Sequence, residues 1–272
     1  MDSLAIQKTK VQKNRIWQQR YLIIQLVSHE LKARYYTSFL GFLWVLLIPL
    51  STLIIYTFVF SIVFPSAWQV SGQSTPYAFI LFAALIPFTL FSEVINRSPT
   101  IILDYPNYVK KVVFPLHVLP IVVLGSALVD SLVSIALLLI GLLIFSHGIS
   151  ITILLLPLVY LPLLLITLGV SWFLASLGVY IRDTGPAVNI CTRLWFFLTP
   201  IVYPLERVPQ KYIWVMKLNP LSMVVETFRN ILLWGKPLNW TEWFIWVLTG
   251  IAVAVFGYFW FTKTRAGFAD VL

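Results

Sequence analysis

This sequence predicts an all-α integral membrane protein, and three observations carry that prediction. Hydrophobic residues make up 60% of its 272 positions and charged residues only 11%, with 20 Phe, 12 Tyr and 11 Trp. Apolar runs of roughly 18 or more residues recur along the chain, the length an α-helix needs to cross a hydrocarbon core. The third is the distribution of charge. The net +9 is gathered into particular loops, as in membrane proteins that hold Lys and Arg on the cytoplasmic side, so it calls for no nucleic-acid partner. The single cysteine, Cys191, excludes a disulfide framework and a paired-cysteine metal site. A cleavable leader is not expected, because the first roughly 37 residues are polar and basic and the apolar run after them is too long.

The chain divides into a cytoplasmic N-terminus with an interface helix (1–37) and a transmembrane domain of six spans (38–272). The segment to Asn14 carries Lys8, Lys10 and Lys13 and reads as flexible. From Arg15 to Tyr36, Trp17, Tyr21, Ile24, Val27, Leu31 and Tyr35 recur at steps of three and four. That spacing predicts an amphipathic helix too polar to span, lying in the membrane interface with its basic side toward the headgroups. Six spans are then expected over Leu40–Phe64, Tyr77–Ile95, Leu116–Phe145, Ile151–Ile181, Val188–Tyr203 and Trp243–Phe261. The fifth is short, and needs extension through Thr184–Ala187 or local thinning of the bilayer. Pro157 and Pro162 fall inside the fourth and predict a bent or unwound helix there.

Orientation follows from the basic residues. Lys8, Lys10, Lys13, Arg15, Arg20, Lys32 and Arg34 precede the first span, Arg97, Lys110 and Lys111 lie between the second and third, and loops 65–76 and 146–150 carry none. Both termini and the 96–115 loop are therefore expected in the cytoplasm. Arg207, Lys211, Lys217, Arg229 and Lys236 run against this pattern, between spans five and six. That region also holds two apolar-aromatic pieces too short to cross, KYIWVMKLNP and LSMVVETFRNILLWG, separated by the turn signal Asn219-Pro220. They predict a re-entrant pair of short helices, with Ser222 as a cap and Glu226 and Arg229 paired on one face.

Several chemistries are missing. There is no GxxxxGK[ST] phosphate loop, no HExxH, and no GxSxG elbow, so neither ATP hydrolysis by that route nor triad hydrolysis belongs to this chain. No metal or cofactor is expected on it. Three charges fall inside the spans: Glu93, Asp130 and Arg193. Such groups are functional candidates, and pairing between helices, for example Arg193 with Glu93, explains them equally well. Phe39, Phe42 and Trp44 at the first span, Phe88 and Phe91 in the second, and Trp195, Phe196 and Phe197 in the fifth are either belt and packing residues or rings that stack on sugars along a channel.

Residues 104 to 115 read DYPNYVKKVVFP. Pro106 at a first helical turn and the pair Lys110-Lys111 make this a short cationic helix on the cytoplasmic side. Its lysines either fix topology or dock a soluble partner.

Five ordered motifs give the chain a family resemblance: LKARYYTSFLGFLWVLLIPL, PNYVKKVVFPLHVLP, YIRD, FFLTPIVYPLERVP and LNPLSMVVETFRNILLWG. From about Arg15 to its end it resembles the permease subunits of type-2 ABC exporters for cell-surface polysaccharides, O-antigen and teichoic-acid permeases above all. The resemblance implies a coupling helix carrying Asn107, Tyr108, Lys110 and Lys111, seated on an ATPase subunit. It further implies a homodimer in the bacterial inner membrane with two separate ATPase subunits that hold ATP and Mg2+, a lipid-linked polysaccharide as substrate, and a channel between protomers lined by spans one, two and five. Alternatives are a type-2 permease for teichoic acid, capsule, a drug or another lipid, or an integral-membrane polyprenyl-linked transferase.

Overall fold

The computed structural model describes residues 2–35, 39–63, 76–105, 114–145, 148 and 150–271, with side chains described from residue 19 except at 42, 60–62, 269 and 270. Among the described residues it is helical, with no strand. Helix α1 covers Asp2–Tyr35, so helical structure begins well before Arg15 and includes the segment expected to be flexible. Then come α2 (Trp44–Thr57), continued by a π-helical stretch over Phe58–Val63, α3 (Tyr77–Arg97) and α4 (Val118–Ile144). The second half holds α5 (Leu156–Tyr180), α6 (Thr184–Leu198), α7 (Ile213–Leu218), α8 (Pro220–Leu232), α9 (Trp240–Thr264) and α10 (Phe268–Val271).

Among the described residues, four stretches are long and apolar enough to cross a membrane: Tyr77–Arg97, Val118–Ile144, Ile151–Tyr180 and Trp240–Gly267. The other two expected spans are shorter. α2 has 14 residues before its π continuation, and α6 has 15, about 22 Å at 1.5 Å per residue. The expected N-terminal extension of the fifth span through Thr184–Ala187 is present. Its far end differs: the helix stops at Leu198 and not at Tyr203, because Thr199 turns extended (φ −104°, ψ 135°) and Pro200 has no backbone donor to continue the ladder. Pro157 falls in the first turn of α5, where a donor is spare, after a 3-10 turn over Ile151–Leu155. Helix α5 then runs unbroken through Pro162, so the irregularity expected there is confined to its start.

From Tyr77 to Phe88 helix α3 is apolar on all sides, and the structure buries that part on all sides. It packs against α4, α5, α6 and α8, and forms the axis of the helix bundle. The most extensive helix pair is α5 with α9. Here two glycines bring the backbones together: a Cβ on Gly257 would strike the backbone of Gly169, and one on Gly169 the backbone of Val253. Small residues at crossings are the usual way helices associate in lipid, where apolar burial gives no net drive. Hydrogen bonds between helices finish the core, among them Ser98 to Ser171 (2.7 Å), Ser176 to Thr264 (2.6 Å) and the Trp243 indole donating to the Leu158 carbonyl (2.7 Å).

Candidate functional site

The last two turns of α1 are fastened to the bundle by charge. Arg34 Nη1 lies 2.6 Å from a Glu93 oxygen on α3 and donates at 2.8 Å to Asp130 Oδ2 on α4. Tyr35 donates to the other oxygen of Asp130 at 3.1 Å. One turn earlier Glu30 pairs with Arg97 at the end of α3 and accepts a hydrogen bond from Tyr105 at 3.1 Å. Glu93 is therefore Arg34's partner and not Arg193's, which corrects the pairing offered from sequence. Arg193 sits exposed on α6.

These pairs also set the rotation of α1. Its half-buried face is Leu22, Ile23, Leu26, Val27, Glu30 and Arg34, while Tyr21 and Ile24 of the expected stripe are 66% and 58% exposed. Not all of the charged side faces headgroups, because two of its members are needed inside. Gly125 on α4 supports this seating, since a Cβ there would stand 2.8 Å from a Val27 methyl. Glu30 and Arg34 are four apart and share one face, the signal that could have found them.

Electrostatics agree with the geometry. Burial pushes Glu30 upward, but the hydrogen bond and charge of Arg97 outweigh it and hold the carboxyl below its ordinary 4.5. Burial together with the Glu30 charge pushes the Tyr105 phenol up to about 12. Arg34 loses hydration by burial, yet Glu93 and Asp130 more than compensate and raise its pKa. All of these groups keep their usual charge at neutral pH.

The chain passes directly from Tyr105 into residues 106–113, which lie outside the described residues together with the expected docking group Asn107, Tyr108, Lys110 and Lys111. The segment thus starts from a residue pinned to α1.

The aromatic candidates separate into kinds. Phe91 is buried and meets Trp195 edge-on at 5.5 Å, and the Trp195 indole donates to Asn219 at 2.9 Å, so both rings pack the α3–α6–α8 junction. Phe88 and Phe196, also edge-on at 5.3 Å, line a shallow hollow of about 360 Å³ with Phe197, Arg193 and Asn96. Phe39 and Phe197 are exposed, Trp44 is partly exposed, and the Phe42 side chain lies outside the described residues.

Between α6 and α9 the two expected short helices are α7 and α8, neither long enough to cross. The cap of α8 is Asn219 and not Ser222. Asn219 accepts from Leu221 N at 3.0 Å with Pro220 at the first helical position, whereas Ser222 lies inside the helix and is buried. Arg229 and Glu226 pair as expected, at 2.8 Å. Sequence could not indicate the rest of the Arg229 environment. Its side chain is 0% exposed and donates to three carbonyls, Ile80 on α3 (3.2 Å), Pro200 (2.7 Å) and Ile201 (2.6 Å). Among the described residues, no three His, Cys, Asp or Glu side chains come together to hold a metal ion.

Comparison with known proteins agrees with this architecture. Residues 21–233 match the family model described as ABC-2 type transporter. The O-antigen export system permease protein RfbA of Myxococcus xanthus is 33% identical over 219 residues, covering 79% of this chain and 82% of that one. A Klebsiella pneumoniae protein of the same name is 29% identical over 92% of this chain and 95% of its own length. The polysialic acid transport protein KpsM of Escherichia coli is 25% identical over 88% of this chain and 93% of its own. With its apolar crossing helices and a family match over most of its length, the chain belongs to the ABC-2 type transporter family.

Proposed function

We propose that this chain is the membrane permease subunit of an ABC exporter that moves a lipid-linked, O-antigen-like polysaccharide out of the cytoplasm, driven by ATP hydrolysis on a separate subunit. The observation that carries the reading is the double ionic fastening of α1 at Tyr105, Arg97, Glu93 and Asp130. It ties the interface helix, the end of α3 and the start of the 106–113 segment into one unit, so a push on that segment is passed to the helices that cross the bilayer. In this reading Asn107, Tyr108, Lys110 and Lys111 contact the ATPase. The permease acts as a homodimer in the bacterial inner membrane with both termini cytoplasmic. Six spans arise when α2 with its π continuation and α6 cross beside the four long helices, and α7 with α8 dips into the outer side. The substrate class rests on the O-antigen and polysialic acid relatives.

Depleting the chain in its host tests the reading. Surface polysaccharide is expected to disappear while finished lipid-linked polymer accumulates on the cytoplasmic leaflet, and surface polysaccharide at its usual level would refute the assignment.

A further inference from the structure

A cavity of about 410 Å³ opens between the end of α1 and helices α2, α3 and α4, within the roughly 300–1,000 Å³ range of small-molecule sites. Its walls are three helix faces at steps of three and four residues: 45, 48, 49 and 52 on α2; 82, 85, 86, 89, 90 and 93 on α3; 127, 130, 131 and 134 on α4. From Phe82 to Glu93 it extends about 16 Å along α3. One end is charged and the other apolar. The charged end is Arg34, Glu93 and Asp130, each about a quarter exposed, so the cluster stands in reach of a ligand. The apolar end is lined by Ile48, Phe82, Leu85 and Ile86. The α2 wall is thin: Trp44 and Ile48 line the cavity yet are 39% and 52% exposed themselves.

Two features say what fits. Two carboxylates face one guanidinium, leaving one negative charge in excess. Arg34 Nη2 is buried and, among the described residues, finds no hydrogen-bond acceptor. Filling both needs asks for a primary ammonium for the carboxylates and, a few ångströms away, an acceptor oxygen for the guanidinium, followed by an apolar chain. From this charge complementarity we propose that the cavity is a binding site for a phospholipid with an ethanolamine head. The ammonium sits between Glu93 and Asp130, the phosphate accepts from Arg34, and part of one acyl chain runs between α2 and α3. An ammonium donates up to three hydrogen bonds, which a quaternary choline cannot do. A glycerol head brings no cation and leaves the carboxylate excess unanswered.

Purified, delipidated full-length protein in mild detergent at neutral pH tests this. Lysophosphatidylethanolamine, lysophosphatidylcholine and lysophosphatidylglycerol of one chain length are titrated in, and retention is read by native mass spectrometry. We expect saturable binding of one ethanolamine lipid per protomer, about tenfold tighter than either of the others, a difference of about 1.4 kcal/mol. Glu93→Gln and Asp130→Asn should each erase the preference over choline. Ile48→Trp fills the apolar end without touching the charges and should abolish retention, which keeps the test decisive if a charge variant fails to fold. Equal retention of the three lipids by the unaltered protein, an undiminished preference in Glu93→Gln and Asp130→Asn, or full retention in Ile48→Trp would overturn the proposal.

Discussion

Arg229 and Arg34 both tie helices together, and they do so with different kinds of partner. Arg229 is sealed in the core and gives its donors to the carbonyls of Ile80, Pro200 and Ile201 and to one carboxylate, Glu226. Arg34 is 26% exposed, faces the carboxylates of Glu93 and Asp130, and has one nitrogen that finds no acceptor among the described residues. Backbone carbonyls do not titrate or change rotamer, so the Arg229 junction has one arrangement and fixes α8 against α3. Carboxylates can exchange partners, so the Arg34 junction can loosen and re-form. In the proposed exporter the fixed junction belongs to the region opposite the motor and the adjustable one to the side where the motor docks.

Substitutions can break that contrast, and the largest effect is expected at the sealed site. Arg229→Met strands Glu226 and three carbonyls and should cost about 3–5 kcal/mol, seen as early thermal unfolding or failure to elute as a single species. Glu226→Gln should cost much less, because the carbonyl bonds survive. Arg34→Gln leaves Glu93 and Asp130 facing one another and should cost about 1–3 kcal/mol. Adding Asp130→Asn to it should recover part of that loss, a non-additivity that marks a shared cluster. At Glu30 the expected loss is smaller, up to about 1 kcal/mol for Glu30→Gln. Its carboxyl is held below 4.5, so its contribution is complete above that pH and disappears only as pH falls through the lower folded value. The difference in proteolytic release of α1 between the unaltered protein and Glu30→Gln should therefore stay constant between about pH 5 and 8 and shrink only in stronger acid. The smallest effect on stability is expected for Phe196→Leu with Phe197→Leu, which spares the Trp195–Asn219 bond. Surface polysaccharide should nonetheless drop, since a sliding glycan needs many weak contacts. Unchanged export would assign these two rings to packing or to the membrane belt.

What sequence made legible, and what it did not, follows from the range of the forces involved. Four long apolar helices could be read because span length is local, and the short fifth helix was expected for the same reason. The Glu226–Arg229 pair was visible because it is one turn of a helix. The partners of Arg34 were not: Glu93 and Asp130 come from helices brought alongside only by packing, and apolar periodicity alone left Glu30 and Arg34 on the side toward the headgroups. Ion pairs overrode it. The cap of α8 was misread as Ser222 because both residues are good caps, and the choice fell to Asn219, whose side chain also holds the Trp195 indole. The carbonyl cradle of Arg229 has no sequence signature at all.

The central claim is that this permease is driven through the 106–113 segment by a separate ATPase, and reversing the charge of that segment tests it most directly. Lys110→Glu with Lys111→Glu would set like charges against an acidic docking groove, at a cost of several kcal/mol, while α1 and the bundle keep their own ion pairs. The measurement is the amount of ATPase that co-purifies with the double variant relative to the unaltered permease, at matched membrane levels. The account predicts that the ATPase is lost from the complex and that export stops with it. ATPase recovered at the unaltered yield, with normal surface polysaccharide, would contradict it.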